Sequence, residues 1–402
     1  MENKLPVECQ DALNAVSACA GNKSEAAHML GIPRNTLCSR IDRANRIGSE
    51  QPTSTIDSAH MQLKIKTLEK ELLSVRAAQL KEDIVKREII GLRESVNDVS
   101  IPEWGLKNTS TGSPGVPSLF LSDLHWGEDV NSKQINGVNS YGIQIATERL
   151  HKLASISAQL LGIISPEFNY PGIVIILGGD MISGNIHDEL TATNQLNTMP
   201  TVLDLYGELV SFITVMADKF GKVFLPCVTG NHGRDTHKIW NKDRHATSFD
   251  WLIYCFLAKH FENDKRITFF IPDGPDAYYK IYEHKYLLTH GDQFRGGDGV
   301  IGALGPIIRG DHRKRSRNTQ IEMGYDTLLL GHWHQYMHLT RLIVNGSLKG
   351  YDEYAYNNNF PFETPQQALW LTHHKHGITF RMPVKLQAAN EQADNSAWVS
   401  VK

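Results

Sequence analysis

The stretch SLFLSDLH, residues 118–125, carries a short apolar run straight into an aspartate and a histidine. The same arrangement recurs in IVIILGGD (173–180), VFLPCVTGNH (223–232), YLLTHG (286–291) and LLLGHWH (328–334). Each run has strand length, and each ends in a loop bearing Asp, Asn or His. A sixth apolar run covers 342–344, and helical periodicity fills intervals such as 143–161 and 248–261. Short strands alternating with helices predict an α/β domain, here over 117–385. In such domains the carboxyl ends of strands gather ligand-bearing loops from distant parts of the chain.

The side-chain types narrow the chemistry. Two carboxylates, one amide oxygen and several imidazoles suit divalent manganese, iron or zinc rather than a thiolate site. Their number exceeds the needs of one ion. Two ions ~3.5–4 Å apart, sharing a carboxylate, clamp both oxygens of an in-line phosphoryl displacement by water. The residues therefore predict phosphoester hydrolysis with two divalent ions; the ligand types admit manganese, iron and zinc alike, and manganese is taken as the first choice.

In chain order, D-x-H, G-D, G-N-H, H-G and G-H-x-H resemble the signature of the calcineurin-like metallophosphoesterases, over most of residues 117–350. The resemblance implies a β-sandwich flanked by helices, an α/β/β/α fold. It implies Asp123, His125 and His334 as ligands of one ion, Asn231, His290 and His332 as ligands of the other, and Asp180 as the bridge. His232 is then no ligand: with Asp180 it is catalytic, reaching the substrate phosphate as transition-state stabiliser or general acid. The phosphoprotein-phosphatase branch carries GDxxDRG and GNHE, where this chain reads GGDMISG and GNHGR. A protein phosphatase is thus not expected. Arg234 stands where many relatives have an acidic residue, leaving Asp235 as candidate orienter of His232. The layout is closer to SbcD-type DNA nucleases.

Residues 8–47 read as three short helices: 11–20, a second capped by Asn22 with Glu25 completing a capping box, and a third over 34–47. Gly31 ends the second helix, which makes the pair a helix-turn-helix. GNKSEAAHMLGIPRNTLCSRI (21–41) resembles the helix-turn-helix of Fis-type bacterial regulators, within a domain set at 1–50. The resemblance makes the third helix a recognition helix presenting Arg34, Asn35, Thr36, Ser39, Arg40 and Arg43 to DNA. Residues 58–97 repeat apolar positions at alternating fours and threes, predicting a coiled coil that pairs two copies, as a dimer or higher oligomer. Residues 98–116 read as a linker and 386–402 as a polar tail.

The segment 291–317 reads as a glycine-rich loop ending in Arg309, Arg313, Lys314, Arg315 and Arg317, a cluster suited to a phosphate backbone. Trp126, Phe294 and Trp333 flank ligand motifs and are candidates for base stacking. His187 and Lys349 are candidate substrate contacts.

Composition bounds these readings. With 41% hydrophobic residues and a net charge of −3, the chain is an ordinary globular protein, not a polycation. Five scattered cysteines fit a reducing cytoplasm. The start lacks a signal-peptide core, and strictly apolar stretches fall short of the ~20 residues of a membrane helix, so no membrane partner is expected. The expected function is a metal-dependent phosphodiesterase acting on nucleic acid, foremost a DNA nuclease. Its rivals are a small-molecule phosphodiesterase with an oligomerising N-terminus, and a non-catalytic DNA-binding scaffold.

Overall fold

The computed structural model describes residues 5–49, 112–296 and 302–387. They belong to two compact units, Met1–Lys86 and Arg87–Lys402. The expected coiled coil at 58–97, with the dimer it implies, lies outside the described residues, as do most of the 98–116 linker and residues 388–402.

In the first unit, helices α1 (Val7–Ala18), α2 (Lys23–Met29) and α3 (Arg34–Ser49) pack pairwise. Their core is small: Ala12, Ala15, Ala26 and Ala27 let the helices approach, and Leu37 and Ile41 of α3 fill the centre. The buried face of α1 runs through Cys9, Ala12 and Ala15, and Ala20, included in the expected helix 11–20, lies beyond the helix at positive φ. The Asn22 side chain accepts from the amides of Ser24 and Glu25, and its amide group donates to the Glu25 carboxylate. At the other end of α2, Gly31 at φ 62° donates to the His28 carbonyl, and Ile32 to that of Ala27. That is a Schellman cap, and only four residues separate α2 from α3. Asn22→Ala should destabilise this unit by about 1 kcal/mol. Amide exchange of α2 reads it; unchanged protection would refute the capping role.

The second unit is a two-sheet sandwich. Strands β1 (Val116–Leu121), β2 (Ile173–Leu177), β3 (Val223–Pro226) and β4 (Ile267–Phe270) run parallel. Antiparallel β10 (Gln366–His373) and β11 (Gly377–Lys385) extend this sheet in the order β11-β10-β1-β2-β3-β4. The second sheet has the order β5-β6-β7-β9-β8. It comprises β5 (Asp276–Ile281), β6 (His284–Thr289), β7 (Thr327–Leu330), β8 (Met337–His338) and β9 (Leu342–Val344). Between the sheets lie Phe120, Val174, Ile176 and Phe224 from one side, and Tyr279, Tyr286, Leu288, Leu329 and Ile343 from the other. The intervening residues Leu119, Leu121, Ile175 and Leu177 are also buried, as strands covered on both faces require.

The first sheet is accompanied by α4 (Ile143–Ile164), α6 (Thr198–Phe220) and α7 (Phe249–His260), with the short α5 (Asp188–Thr193) between α4 and α6. Among the described residues, α6 alone is long and apolar enough to cross a membrane. Its buried residues Leu205, Leu209, Phe212, Ile213 and Met216 form one stripe, and it touches β3, α4 and α7, as a core helix does. Helix α8 (Leu304–Gln320) covers the outer face of the second sheet through Ile307. The segment expected as a glycine-rich loop is therefore largely this helix. Val116, expected in the linker, opens β1, and Leu386, expected in the tail, is buried.

Candidate metal centre

Parallel pairing of β1 with β2, β2 with β3 and β6 with β7 sends their carboxyl ends in common directions. Hydrogen bonds then tie the loops together. Asp123 N–H donates to the Gly179 carbonyl and His125 N–H to that of Asp180, joining the first two loops. His332 N–H donates to Asp123 Oδ1 at 2.9 Å, and His290 Nδ1 pairs with the Gly178 carbonyl at 2.8 Å, joining the two sheets. Asp123, His125, Asp180, His332 and His334 all have left-handed backbones, with φ of 55°, 47°, 51°, 67° and 51°. Such strain in non-glycine residues persists only where surroundings enforce it. The loops also meet too closely for extra atoms: a Cβ on Gly331 would lie 2.6 Å from Asp123 Oδ2, and one on Gly230 would strike the Asp180 carboxylate.

The side chains converge in three overlapping groups. Asp123, His125 and His334 bring one ligand atom each within 4.8 Å of one another, and so do Asp180, His290 and His332. A third group, His125, Asp180 and His232, connects them. Nε2 of His125 faces Nε2 of His334 at 3.0 Å, and His290 Nε2 lies 2.9 Å from Asp180 Oδ2. Because His290 Nδ1 is committed to a backbone carbonyl, its Nε2 is the atom left for the centre. Asn231 Oδ1 is buried without a hydrogen-bond partner. A buried amide oxygen with no donor suits a cation, and the whole set of carboxylate, imidazole and amide oxygen fits a pair of divalent ions.

The electrostatics describe the centre before a cation arrives. Burial alone would push Asp180 up, but His290 and His232 hold it well below the usual carboxylate range. Burial pulls His290 down; the Asp180 charge and hydrogen bond override it and lift His290 to about 10. His332 falls to about 4, through burial first and then the His290 charge. Burial also lowers His232, whose Nδ1 lies 3.0 Å from the Ser183 carbonyl. The Ser183 carbonyl orients this imidazole; Arg234 meanwhile donates to the carbonyls of Asn231, Thr236 and His237.

Several supports were not foreseen. Asp250, in the first turn of α7, accepts from the amides of Asp180 (3.0 Å), Met181 (3.1 Å) and Gly230 (2.9 Å). One carboxylate thus sets the spacing of the Gly-Asp and Gly-Asn-His loops. From sequence it reads as an ordinary acid at a helix start. Asn345 bonds the Phe120 carbonyl, Ser122 and Gln367, while Ser122 and Ser347 hold Asp123. In Asp250→Asn one acceptor becomes an N–H facing an N–H. Manganese affinity should fall about 10–100-fold, as for other outer supports of a metal site. Calorimetric titration measures it, and wild-type affinity would remove Asp250 from this role.

Comparison with known proteins bears on the N-terminal unit. Residues 11–43 match the model of the bacterial regulatory protein, Fis family. The match takes in α2 and most of α1 and α3. A solved structure of a conserved uncharacterized protein, a predicted phosphoesterase from Streptococcus pneumoniae, is 11% identical; the alignment covers 68% of this chain and 98% of that one, with a TM-score of 0.25. Among curated proteins nothing matches.

The residues expected to meet nucleic acid divide. On α3, Arg34, Asn35, Thr36, Ser39 and Arg43 are exposed and Arg40 is half-buried; Arg40 and Arg43 lie 3.8 and 3.5 Å from Glu8 of α1. On α8, Arg309 and Arg313 are exposed. Lys314 is buried against Asp276 at 2.7 Å. Arg315 pairs with Asp311 and donates to the Tyr325 and Arg341 carbonyls, and Arg317 pairs with Asp276. Lys314 is thus corrected to a core ion pair, Arg315 is tied down beside α8, and Arg317 keeps a mainly exposed side chain beside Asp276. The expected stacking aromatics fare likewise: Trp126 is fully buried and bonded to Asp204, and Phe294 sits under α8. Trp333 is half-buried against the same cluster. His187 is exposed with its ring 6.0 Å from that of His232. Lys349 is buried between Glu128 and Asp352, so it is a support and not a substrate contact.

Proposed function

We propose that this protein is a dinuclear metal-dependent phosphodiesterase acting on nucleic acid, foremost a DNA nuclease brought to its substrate by the Fis-type helix-turn-helix. The observation that carries the reading is the shared geometry of the ligand groups. Asp180 and His125 each belong to two of the three clusters, an economy that suits two neighbouring cations. On this reading Asp123, His125 and His334 hold one ion, Asn231, His290 and His332 the other, and Asp180 both. Divalent ions held there supply Lewis acidity to a phosphoryl group and lower the pKa of water.

The remaining steps belong to the chain's own residues. His232 carries its Nδ1 proton toward the Ser183 carbonyl, which turns Nε2 toward the centre. Burial keeps the imidazole neutral in the free protein. An arriving phosphate anion favours the protonated ring, which can then stabilise developing charge or give a proton to the leaving oxygen. The helix-turn-helix favours DNA over a small diester, because a duplex-reading element has no use beside a small-molecule site. The segment 58–97 would pair two copies, and the five free cysteines suit a reducing cytoplasm.

The test is incubation of circular and linear DNA with the full chain in Mn²⁺, beside a chromogenic phosphodiester. Nicking of the circle identifies an endonuclease, and digestion of the linear form alone an exonuclease. Hydrolysis of the chromogenic diester with both DNAs intact would overturn the nucleic-acid reading in favour of a small-molecule phosphodiesterase.

A further inference from the structure

We infer that the loop 236–246, rooted on the Asn231–His232 turn, is a strand-holding element: Trp240 stacks on an unpaired base while Lys238 and Lys242 take the flanking phosphates. The inference rests on the nucleic-acid reading above and names the substrate form within it.

The loop is closed and anchored. Its ends meet where Asp235 N–H donates to the Thr247 carbonyl at 2.9 Å, and Arg234 and Ser248 form a β-bridge there. At the near end, the Arg234 guanidinium donates to the Asn231 carbonyl at 2.5 Å and to the Thr236 carbonyl at 3.0 Å. At the far end, Arg244 donates to the Gly230 carbonyl at 3.0 Å and makes a two-pronged pair with Asp292. Both ends are therefore fixed to the residues flanking Asn231 and His232. Loops closed this way on a rigid base are a common setting for binding residues.

What the loop displays is unusual. His237, Lys238, Trp240, Asn241, Lys242 and Asp243 are exposed. Trp240 is 55% exposed, and among the described residues no other tryptophan is mainly in solvent. An exposed tryptophan offers a ligand a large, rigid aromatic face. Lysines two residues to either side make the surroundings basic, with Asp243 the one acid beyond them, in a chain of net charge −3. An aromatic face bracketed by cations matches a base bracketed by phosphates, as in single-strand channels. An apolar protein partner would not call for the lysines. Trp240 lies six positions along the chain from the anchored Arg234, so the ring's backbone lies at most ~21 Å from it. That is roughly six nucleotides of stacked strand. The loop thus grips the strand a few nucleotides from the phosphate being cut.

The experiment compares the full chain with Trp240→Ala, Trp240→Phe and Lys238→Ala/Lys242→Ala in Mn²⁺. The substrates are an oligothymidylate and bis(4-nitrophenyl) phosphate. The quantity read is the ratio of kcat/KM values, oligothymidylate over diester. Trp240→Ala should lower it by about tenfold, the loss of one stacked base, and Trp240→Phe should restore most of it. The double lysine variant should flatten the salt dependence of oligothymidylate binding by about 1.4 in log–log slope. Binding is measured by fluorescence anisotropy in the Asp180→Asn background, so it is read whether or not the oligomer is cleaved. A wild-type ratio and salt slope in these variants would overturn the inference while leaving the nuclease reading intact. Equal losses on both substrates would also overturn it, reducing the loop to a brace for the metal turn. Wild-type hydrolysis of the diester with no binding of oligothymidylate would overturn the inference, and only intact circular and linear DNA beside it would remove the nucleic-acid reading as well.

Discussion

Asp180→Asn should lower phosphodiester hydrolysis by at least about a hundredfold while the chain keeps its fold. Two hydrogen bonds explain why the fold survives. Asp180 Oδ1 accepts from the His232 amide at 2.7 Å, and Oδ2 lies 2.9 Å from His290 Nε2. An asparagine oxygen can keep the first, and neutral His290 can accept from the amide nitrogen in the second. What cannot be kept is the negative charge, which lies between the two ligand groups and balances a histidine on each side. Hydrolysis of a chromogenic diester and thermal melting check the pair of expectations. Turnover near the wild-type rate would end the shared-carboxylate assignment, and an unfolded variant would show the charge to be structural.

The largest effect on stability should come from Lys349→Met. Lys349 is 3% exposed, with Nζ 2.9 Å from Glu128 Oε1 and 2.5 Å from Asp352 Oδ2. Burial pushes the lysine down, but the two carboxylates outweigh it and hold it well above its ordinary value. Burial pushes Asp352 up, and Lys349 outweighs that, bringing it to about 2. Removing the cation leaves two buried carboxylates without compensation, which costs about 3–5 kcal/mol and roughly 10 °C in Tm. The pH dependence follows from the signs. In the wild type the Asp352 contribution is present above its unfolded value of 3.8 and is lost as pH falls through about 2. In the variant the unpaired Asp352 takes up a proton more readily, so the deficit shrinks as pH falls. A Tm equal to wild type at neutral pH would contradict the account.

The sequence made the strands and their ligand loops legible because both obey short-range rules. A buried parallel strand is a run of apolar residues, and a ligand at its carboxyl end follows within two or three positions. The cap at Asn22 and the turn at Gly31 were legible for the same reason. What was not legible depended on partners far along the chain. Lys314 reads as one of five cations until Asp276 is seen beneath it. Trp126 looks available for stacking until the bridge to Ile182 and the bond to Asp204 enclose it. Asp250 has no local signal, because its three donors come from loops about 20 and 70 residues upstream. Trp240 escaped notice because exposure, unlike hydrophobicity, is not written in a residue's neighbours.

The left-handed backbone at Asp123, His125, Asp180, His332 and His334 carries a consequence for mutational drift. Such a conformation costs most L-residues roughly 1–2 kcal/mol, and besides glycine it is best tolerated by asparagine, aspartate and histidine. Three of those four residues coordinate cations. Random replacement at these positions is therefore filtered by the backbone before any selection for activity acts, and what passes is mostly another ligand. A descendant of this chain can exchange oxygen for nitrogen donors, and so change its preferred ion, in single steps. Turning the same pocket into an apolar core would require rebuilding the loops first.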